Sequence, residues 1–255
     1  FKNLKWFEEY RDLDNKGLIS VIHPWESGRD NSIEWDEPLK NMKVSQNLKK
    51  YSRKDLKQIA DDERPTKEDY DKYITIVEFG ENCKWDKEEM YYNSPFNVID
   101  IGIQFMYIKS LKDLLKIYEH LNYNLNIIEL KKMIQKYEKS INLLWNEEIK
   151  CYSSLNYKNN KLINEITHAS FMYFYSEINN KSVEKYILNN FNKYIENSKY
   201  IVPSISTQHN KFNSKKYWRG PIWCIINLFL YIGFQKIDES ISNKISEHTI
   251  KLIED

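Results

Sequence analysis

From Ile127 onward, apolar residues recur at Leu130, Ile134, Tyr137, Ile141 and Leu144, in steps of three and four. At 3.6 residues per turn those positions share one face, so the spacing predicts a helix with one buried side. Val183, Ile187, Phe191 and Tyr194 repeat the pattern, and Ile237, Ile241, Ile245 and Leu252 follow it more loosely. Residues 98–115, 169–175 and 221–234 are instead apolar nearly all round. A helix of that kind is expected to be covered on every side. The alternation of the two kinds predicts two layers, inner helices enclosed by outer ones.

No fixed-period repeat runs through the chain, which argues against a stacked solenoid. Only short β-like stretches appear, for instance residues 17–22 and 200–205. With 6 Gly and 6 Pro, the turns must be built mainly from Asn, Ser and Lys. No biased linker interrupts residues 1–255, so the expectation is a single all-α domain. The chain opens at Phe1 with Leu4, Trp6 and Phe7 already in helical register, and it reaches Asp255 inside an amphipathic run. Both features lead us to expect a piece truncated at both ends.

Composition narrows the partners. Lys plus Arg is 38 against Asp plus Glu 37, a net charge of +1, without the basic stripe a nucleic-acid binder carries. The apolar run 221–234 is too short to span a bilayer and contains Asn227, and no signal peptide opens the chain, so no membrane partner is expected. Cys83, Cys151 and Cys224 are odd in number, far apart and free of any CxxC pair. That spacing points to reduced thiols, a cytoplasmic setting, and neither a disulfide framework nor a metal site. No cofactor motif of the GxGxxG or P-loop type occurs, nor HExxH or GxSxG. Aromatic residues reach 15%. Abundant Tyr accompanies abundant Ile, Lys and Asn, but Trp shares no such bias, so the placement of Trp is informative.

Two clusters carry candidate chemistry. The first is the segment His23-Pro-Trp-Glu-Ser-Gly-Arg-Asp-Asn-Ser32, followed by Trp35 and Asp36. Trp25 offers a flat face for a sugar, the carboxylates offer proton transfer and hydroxyl recognition, and Gly28 permits a tight turn. Composition alone favours a capped turn, in which Ser32 or Asp36 starts a helix, Trp25 is core, and Glu26 pairs with Arg29 in solvent. The second is Tyr217-Trp-Arg-Gly-Pro-Ile-Trp223, which runs straight into the apolar stretch. Tyr217, Trp218 and Trp223 there form either a core plug or a binding wall, with Gly220 allowing close backbone approach.

These two segments together resemble the signatures of glycoside hydrolase family 63, in particular its bacterial mannosylglycerate and glucosylglycerate hydrolases. Arg64-Pro-Thr-Lys-Glu-Asp-Tyr70, Ser94-Pro-Phe-Asn-Val-Ile-Asp100 and Leu144-Trp-Asn-Glu-Glu148 fall in the matching order and extend the likeness over nearly the whole chain. The resemblance implies an (α/α)6 barrel whose mouth binds a small carbohydrate, with hydrolysis inverting the anomeric carbon. It implies Asp30 as general acid, and Tyr217, Trp218 and Trp223 as walls of the sugar site. Trp25, Glu26, Arg29 and Gly220 belong to the same signatures as substrate-binding candidates. The general base it implies is a Glu expected just after Asp255. Asp30 must then stay protonated near neutrality, by burial or a neighbouring carboxylate, against the dipole of any helix starting near Ser32. The chain departs from the family at Ile33, at Pro38, which should delay or kink that helix, and at Gln208-His209, where acidic residues are expected. Other readings on the same residues are an α-glucosidase or trehalase-like hydrolase, or a non-catalytic helical scaffold.

Overall fold

The computed structural model describes residues 1–57 and 59–254. Asp255, the end of the last amphipathic run, lies outside them. Three helices precede the inner row: α1 (Lys2–Arg11), α2 (Asp36–Lys40) and α3 (Lys67–Asn82). The inner row itself is α4 (Ile101–His120), α6 (His168–Tyr175) and α8 (Cys224–Phe234), with α6 packed between the other two. Each is followed by an outer helix: α5 (Ile127–Ser140) lies on α4, α7 (Lys181–Ile195) behind α6, and α9 (Glu239–Glu254) on α8.

The outer helices bury the predicted stripes. α5 buries Leu130, Ile134 and Tyr137, and α7 buries Ile187, Phe191 and Tyr194. Phe171 of α6 receives Phe191 and Tyr194 at ring distances of 5.1 and 4.9 Å. The all-round helix α6 is buried from His168 through Phe174.

Two inner helices differ from the sequence expectation. α4 starts at Ile101 because Asp100 caps it, its carboxylate accepting the Gly102 and Ile103 amides, while Val98 and Ile99 pair as a strand. α8 is apolar all round yet covered only where α6 and α9 reach it; Ile225 and Leu228 are half exposed, at 51% and 49%. Periodicity reports which residues are apolar, and here that does not fix how many sides are packed.

Among the described residues, six two-residue strands tie the loops together: β1 (Ser20–Val21), β2 (Val98–Ile99), β3 (Trp145–Asn146), β4 (Cys151–Tyr152), β5 (Leu155–Asn156) and β6 (Lys161–Leu162). They form an antiparallel sheet in the order β1-β2-β5-β6 and a β3-β4 hairpin. Residues 200–205 make no strand, only single bridges from Ile205 to Thr167 and from Pro203 to Ile222. Ser154, just before β5, accepts the Ile101 amide at 3.1 Å, which sets this sheet at the N-terminal end of α4. The loop that leaves β1 therefore lies over that end of the inner helices. Among the described residues no helix is long and apolar enough to cross a membrane.

Candidate active site

After β1 the chain makes a tight turn over Pro24–Ser27, with Pro24 in its first position and Gly28 closing it at φ +69°. A glycine is suited there because a Cβ is strained at positive φ. His23 Nδ1 accepts the Trp25 amide at 3.0 Å. The proton therefore sits on Nε2, which donates to the Tyr73 carbonyl at 3.0 Å. Burial lowers this imidazole to a pKa of about 4, so it stays neutral and keeps that tautomer. The Tyr73 hydroxyl in turn donates to the Asp30 carbonyl at 2.6 Å. Helix α3 thus holds the loop that carries Asp30 at two points.

The charged neighbours of Asp30 in the sequence face elsewhere. Arg29 is buried at 5% exposure, with one nitrogen on the Glu34 carboxylate and another 2.7 Å from Asp100. Glu34 also accepts from the Ser154, Thr167 and Ser32 hydroxyls at 2.7, 2.9 and 3.0 Å. Glu26 pairs with Arg11 of α1 at 2.5 Å and accepts the Ile22 amide at 3.0 Å. The predicted Glu26–Arg29 pair in solvent is therefore not formed. With both side chains engaged in these contacts, they shape the loop. Ser32 starts no α-helix: a single turn over Ile33–Trp35 intervenes, and α2 begins at Asp36 with Pro38 inside its first turn.

The second segment docks onto the first. Asn31 Oδ1 accepts the Trp218 amide at 2.9 Å, and its carbonyl accepts Arg219 Nε at 2.8 Å. Arg219 also grips Asp36 through two nitrogens at 2.5 and 3.1 Å. Trp218 and Trp223 stack at 4.3 Å, with Tyr217 edge-on to Trp223 at 5.5 Å. Tyr217 has φ +36°, a region that a bulky residue rarely occupies and one that clusters at functional sites. Gly220 is buried, its amide donating to Ser204 Oγ at 2.8 Å. A Cβ there would lie 2.0 Å from the Asn213 carbonyl oxygen. Because that obstacle is backbone, Gly220→Ala is expected to cost about 1–3 kcal/mol; urea denaturation of the variant measures it.

The carboxyl of Asp30 lies near Tyr217 and Arg64. Arg64 stacks on the Tyr217 ring at 3.7 Å. Burial pushes the Asp30 carboxyl above the usual carboxylate range; Arg64 opposes this and Asp55 adds to it. No α-helix N-terminus adjoins Asp30, so the dipole expected to oppose protonation is displaced to Asp36. Trp25 stands beside Tyr73 and Tyr70, edge-on at 5.9 and 6.2 Å. Its far side bounds a groove of about 500 Å³ shared with Trp6, Tyr10 and Trp85. Asp30, Tyr217, Trp218 and Trp223 lie together where the second segment docks onto the first, whereas the groove beside Trp25 is lined by none of them.

Sequence reasoning assigned no role to Arg64, Tyr70 or Asp55. Arg64 and Tyr70 do bound a segment with family likeness, and that was the available signal; Asp55 lies in a loop without any. Where acidic residues were expected at Gln208-His209, His209 instead meets Glu165 at 3.2 Å, so an acidic partner reaches the loop from another part of the chain.

The whole stretch 1–255 matches the mannosylglycerate hydrolase MGH1-like glycoside hydrolase domain. The chain belongs to this family. A mannosylglycerate hydrolase of Thermus thermophilus is 31% identical over 231 residues, covering 91% of this chain and 55% of that protein. A glucosylglycerate hydrolase of Mycolicibacterium hassiacum is 24% identical over 233 residues, covering 87% of this chain and 51% of that protein. Among solved structures, a family 63 mannosylglycerate hydrolase of Thermus thermophilus in complex with Tris and D-glycerate superposes with a TM-score of 0.93. That pair is 29% identical, and the match covers 98% of this chain and 60% of the other. The chain thus spans between half and two thirds of the length of these relatives. The inner and outer helices are the corresponding share of the family's (α/α)6 barrel.

Proposed function

We propose that these residues form the acid-bearing part of an inverting glycoside hydrolase acting on a small α-glycoside such as mannosylglycerate or glucosylglycerate. Asp30 is its general acid, and the general base comes from outside the 255 residues. The observation that carries the reading is the Asp30 carboxyl, pushed by burial above the usual carboxylate range beside Tyr217, whose ring packs against Trp218 and Trp223. An acid of that kind protonates the leaving oxygen, while a second carboxylate roughly 6.5–9.5 Å away activates water on the opposite face of the sugar. Trp218 and Trp223 supply the apolar wall for the ring. Asn31 Nδ2 and Trp218 Nε1 are buried donors without an acceptor in the described chain, a combination that suits a ligand rich in hydroxyls.

Arg64 favours an anionic leaving group over a neutral one. A guanidinium pairs with a carboxylate in two parallel hydrogen bonds, which glycerate offers and the glucose released from trehalose does not. Turnover of mannosylglycerate and glucosylglycerate is therefore expected to exceed that of trehalose and methyl α-glucoside. Arg64→Gln should raise KM for the glycerate substrates roughly tenfold or more, the scale of a lost charge-assisted hydrogen bond, and leave the neutral glycosides little changed. Because Asp30 acts in its protonated form, kcat/KM should fall as pH rises through its raised pKa. Initial rates on the four substrates, using the natural polypeptide that contains this stretch, test the reading. Equal rates on trehalose would sink the anionic-aglycone assignment, and no turnover of any glycoside would favour a non-catalytic scaffold.

A further inference from the structure

Between Arg53 and Arg64 the chain places the Asp55 carboxylate against both arginines. Asp55 accepts from Arg53 Nη2 at 2.7 Å and Nε at 3.3 Å, and from Arg64 Nε at 3.2 Å. Each guanidinium also lies on a tyrosine ring, Arg53 over Tyr70 at 3.9 Å and Arg64 over Tyr217 at 3.7 Å. Tyr70 lies near Asp55 as well. The side chains of Arg53, Arg64 and Asp55 are only 8%, 12% and 15% exposed, so solvent screens the group weakly. The result is a ladder, Tyr70–Arg53–Asp55–Arg64–Tyr217, that ends beside Asp30.

We propose that Asp55 is a positioning residue of this site: it fixes the Arg64 guanidinium against Tyr217 and offsets its charge where it faces Asp30. The inference rests on Asp30 being the acid. Two guanidiniums this close repel unless an anion lies between them, and Asp55 is shared by both. The hydrogen bond from Arg53 above all holds its carboxyl down to a pKa of about 2, so it is ionised throughout the working range. Without that charge, nothing offsets the Arg64 guanidinium where it acts on Asp30. Arg64 would then favour the ionised acid. The groups facing Asp30 are Tyr217 from the loop before α8, Arg64 and Asp55 from the loop before α3, and Tyr73 of α3. Asp36 and Arg219 stand beside Tyr73 and form a pair of their own.

Asp55→Asn keeps the shape of the side chain and removes its charge. The basic limb of the kcat/KM–pH profile should move to lower pH, and kcat/KM on mannosylglycerate at neutral pH should fall by on the order of tenfold or more, as small misplacements of catalytic groups do. Arg53→Gln leaves Asp55 to Arg64 alone, so the same limb should move to higher pH. Asp55→Glu, which keeps the charge, should leave the limb near its wild-type position. Structural damage lowers the melting temperature without moving the limb in opposite directions. Carbon-13 NMR titration of the Asp30 carboxyl, assigned by its loss in Asp30→Asn, reads the same shifts in a protein that turns over nothing. If wild type hydrolyses no glycoside, the proposed activity falls, and the titration still decides the role of Asp55. An Asp30 titration unmoved by Asp55→Asn would overturn the inference.

Discussion

In the natural polypeptide that carries these residues, Asp30→Asn is expected to reduce turnover of mannosylglycerate by at least about 10²–10⁴-fold, the range general acid catalysis contributes. The amide is close in shape to the protonated acid, and the loop is held by contacts that do not use the carboxyl. The Asp30 carbonyl still takes the Tyr73 hydroxyl, and the Asn31 contacts to Trp218 and Arg219 are untouched. Far-ultraviolet circular dichroism and the melting temperature should therefore change little while the rate collapses. A leaving group that needs no protonation provides the sharper check. On an activated aryl α-mannoside the loss should be much smaller than on mannosylglycerate, because the acid's contribution is small there. Near-normal turnover of mannosylglycerate by Asp30→Asn would remove Asp30 from the chemistry.

Much of the helical fold was legible because burial leaves a period. α5 and α7 follow their apolar stripes, and α6 is enclosed as its composition requires. What the pattern could not give is where inner helices begin and how far they are covered. The first depends on one polar side chain, Asp100, whose capping bonds end the strand and start α4. The second depends on neighbours distant in the chain, which is why α8 reads as enclosed yet exposes Ile225 and Leu228.

The site was legible to a different depth. The two signature segments do dock onto each other, through Asn31, while Trp25 packs against Tyr70 and Tyr73 and the rings of the second segment pack among themselves. The roles of individual charges were not readable, because an arginine beside an acid in sequence says nothing about which way it points. Arg29 and Arg64 illustrate this. The first adjoins Asp30 in the chain and turns into the interior; the second is thirty-four positions away and faces the carboxyl. Pairing across such separations is set by the packing of α3 against the loop after β1, and no local pattern encodes it.

The interior position of Arg29 leads to the largest expected effect on stability. Its guanidinium sits between Glu34 and Asp100, and both carboxylates are fully enclosed. Burial pushes the Glu34 carboxyl up, but Arg29 and the hydroxyls of Ser154 and Thr167 outweigh it and hold the group ionised. For Asp100 burial prevails, since one of its oxygens has no partner and Glu34 lies close by. Arg29→Ala would leave the Glu34 charge buried without its cation, a change that costs about 3–5 kcal/mol. It would also unhook the acid-bearing loop from the N-terminus of α4, where Asp100 caps the helix. Chemical denaturation should show that loss, and Arg29→Lys should recover only part of it, because an ammonium cannot span two carboxylates as a planar fork does. The penalty should shrink at low pH, where Glu34 becomes neutral and no longer needs a cation. A pH-independent loss, or one below about 1 kcal/mol against the several expected for an orphaned buried charge, would mean that solvent reaches Glu34 and that the ion cluster is not what anchors the loop.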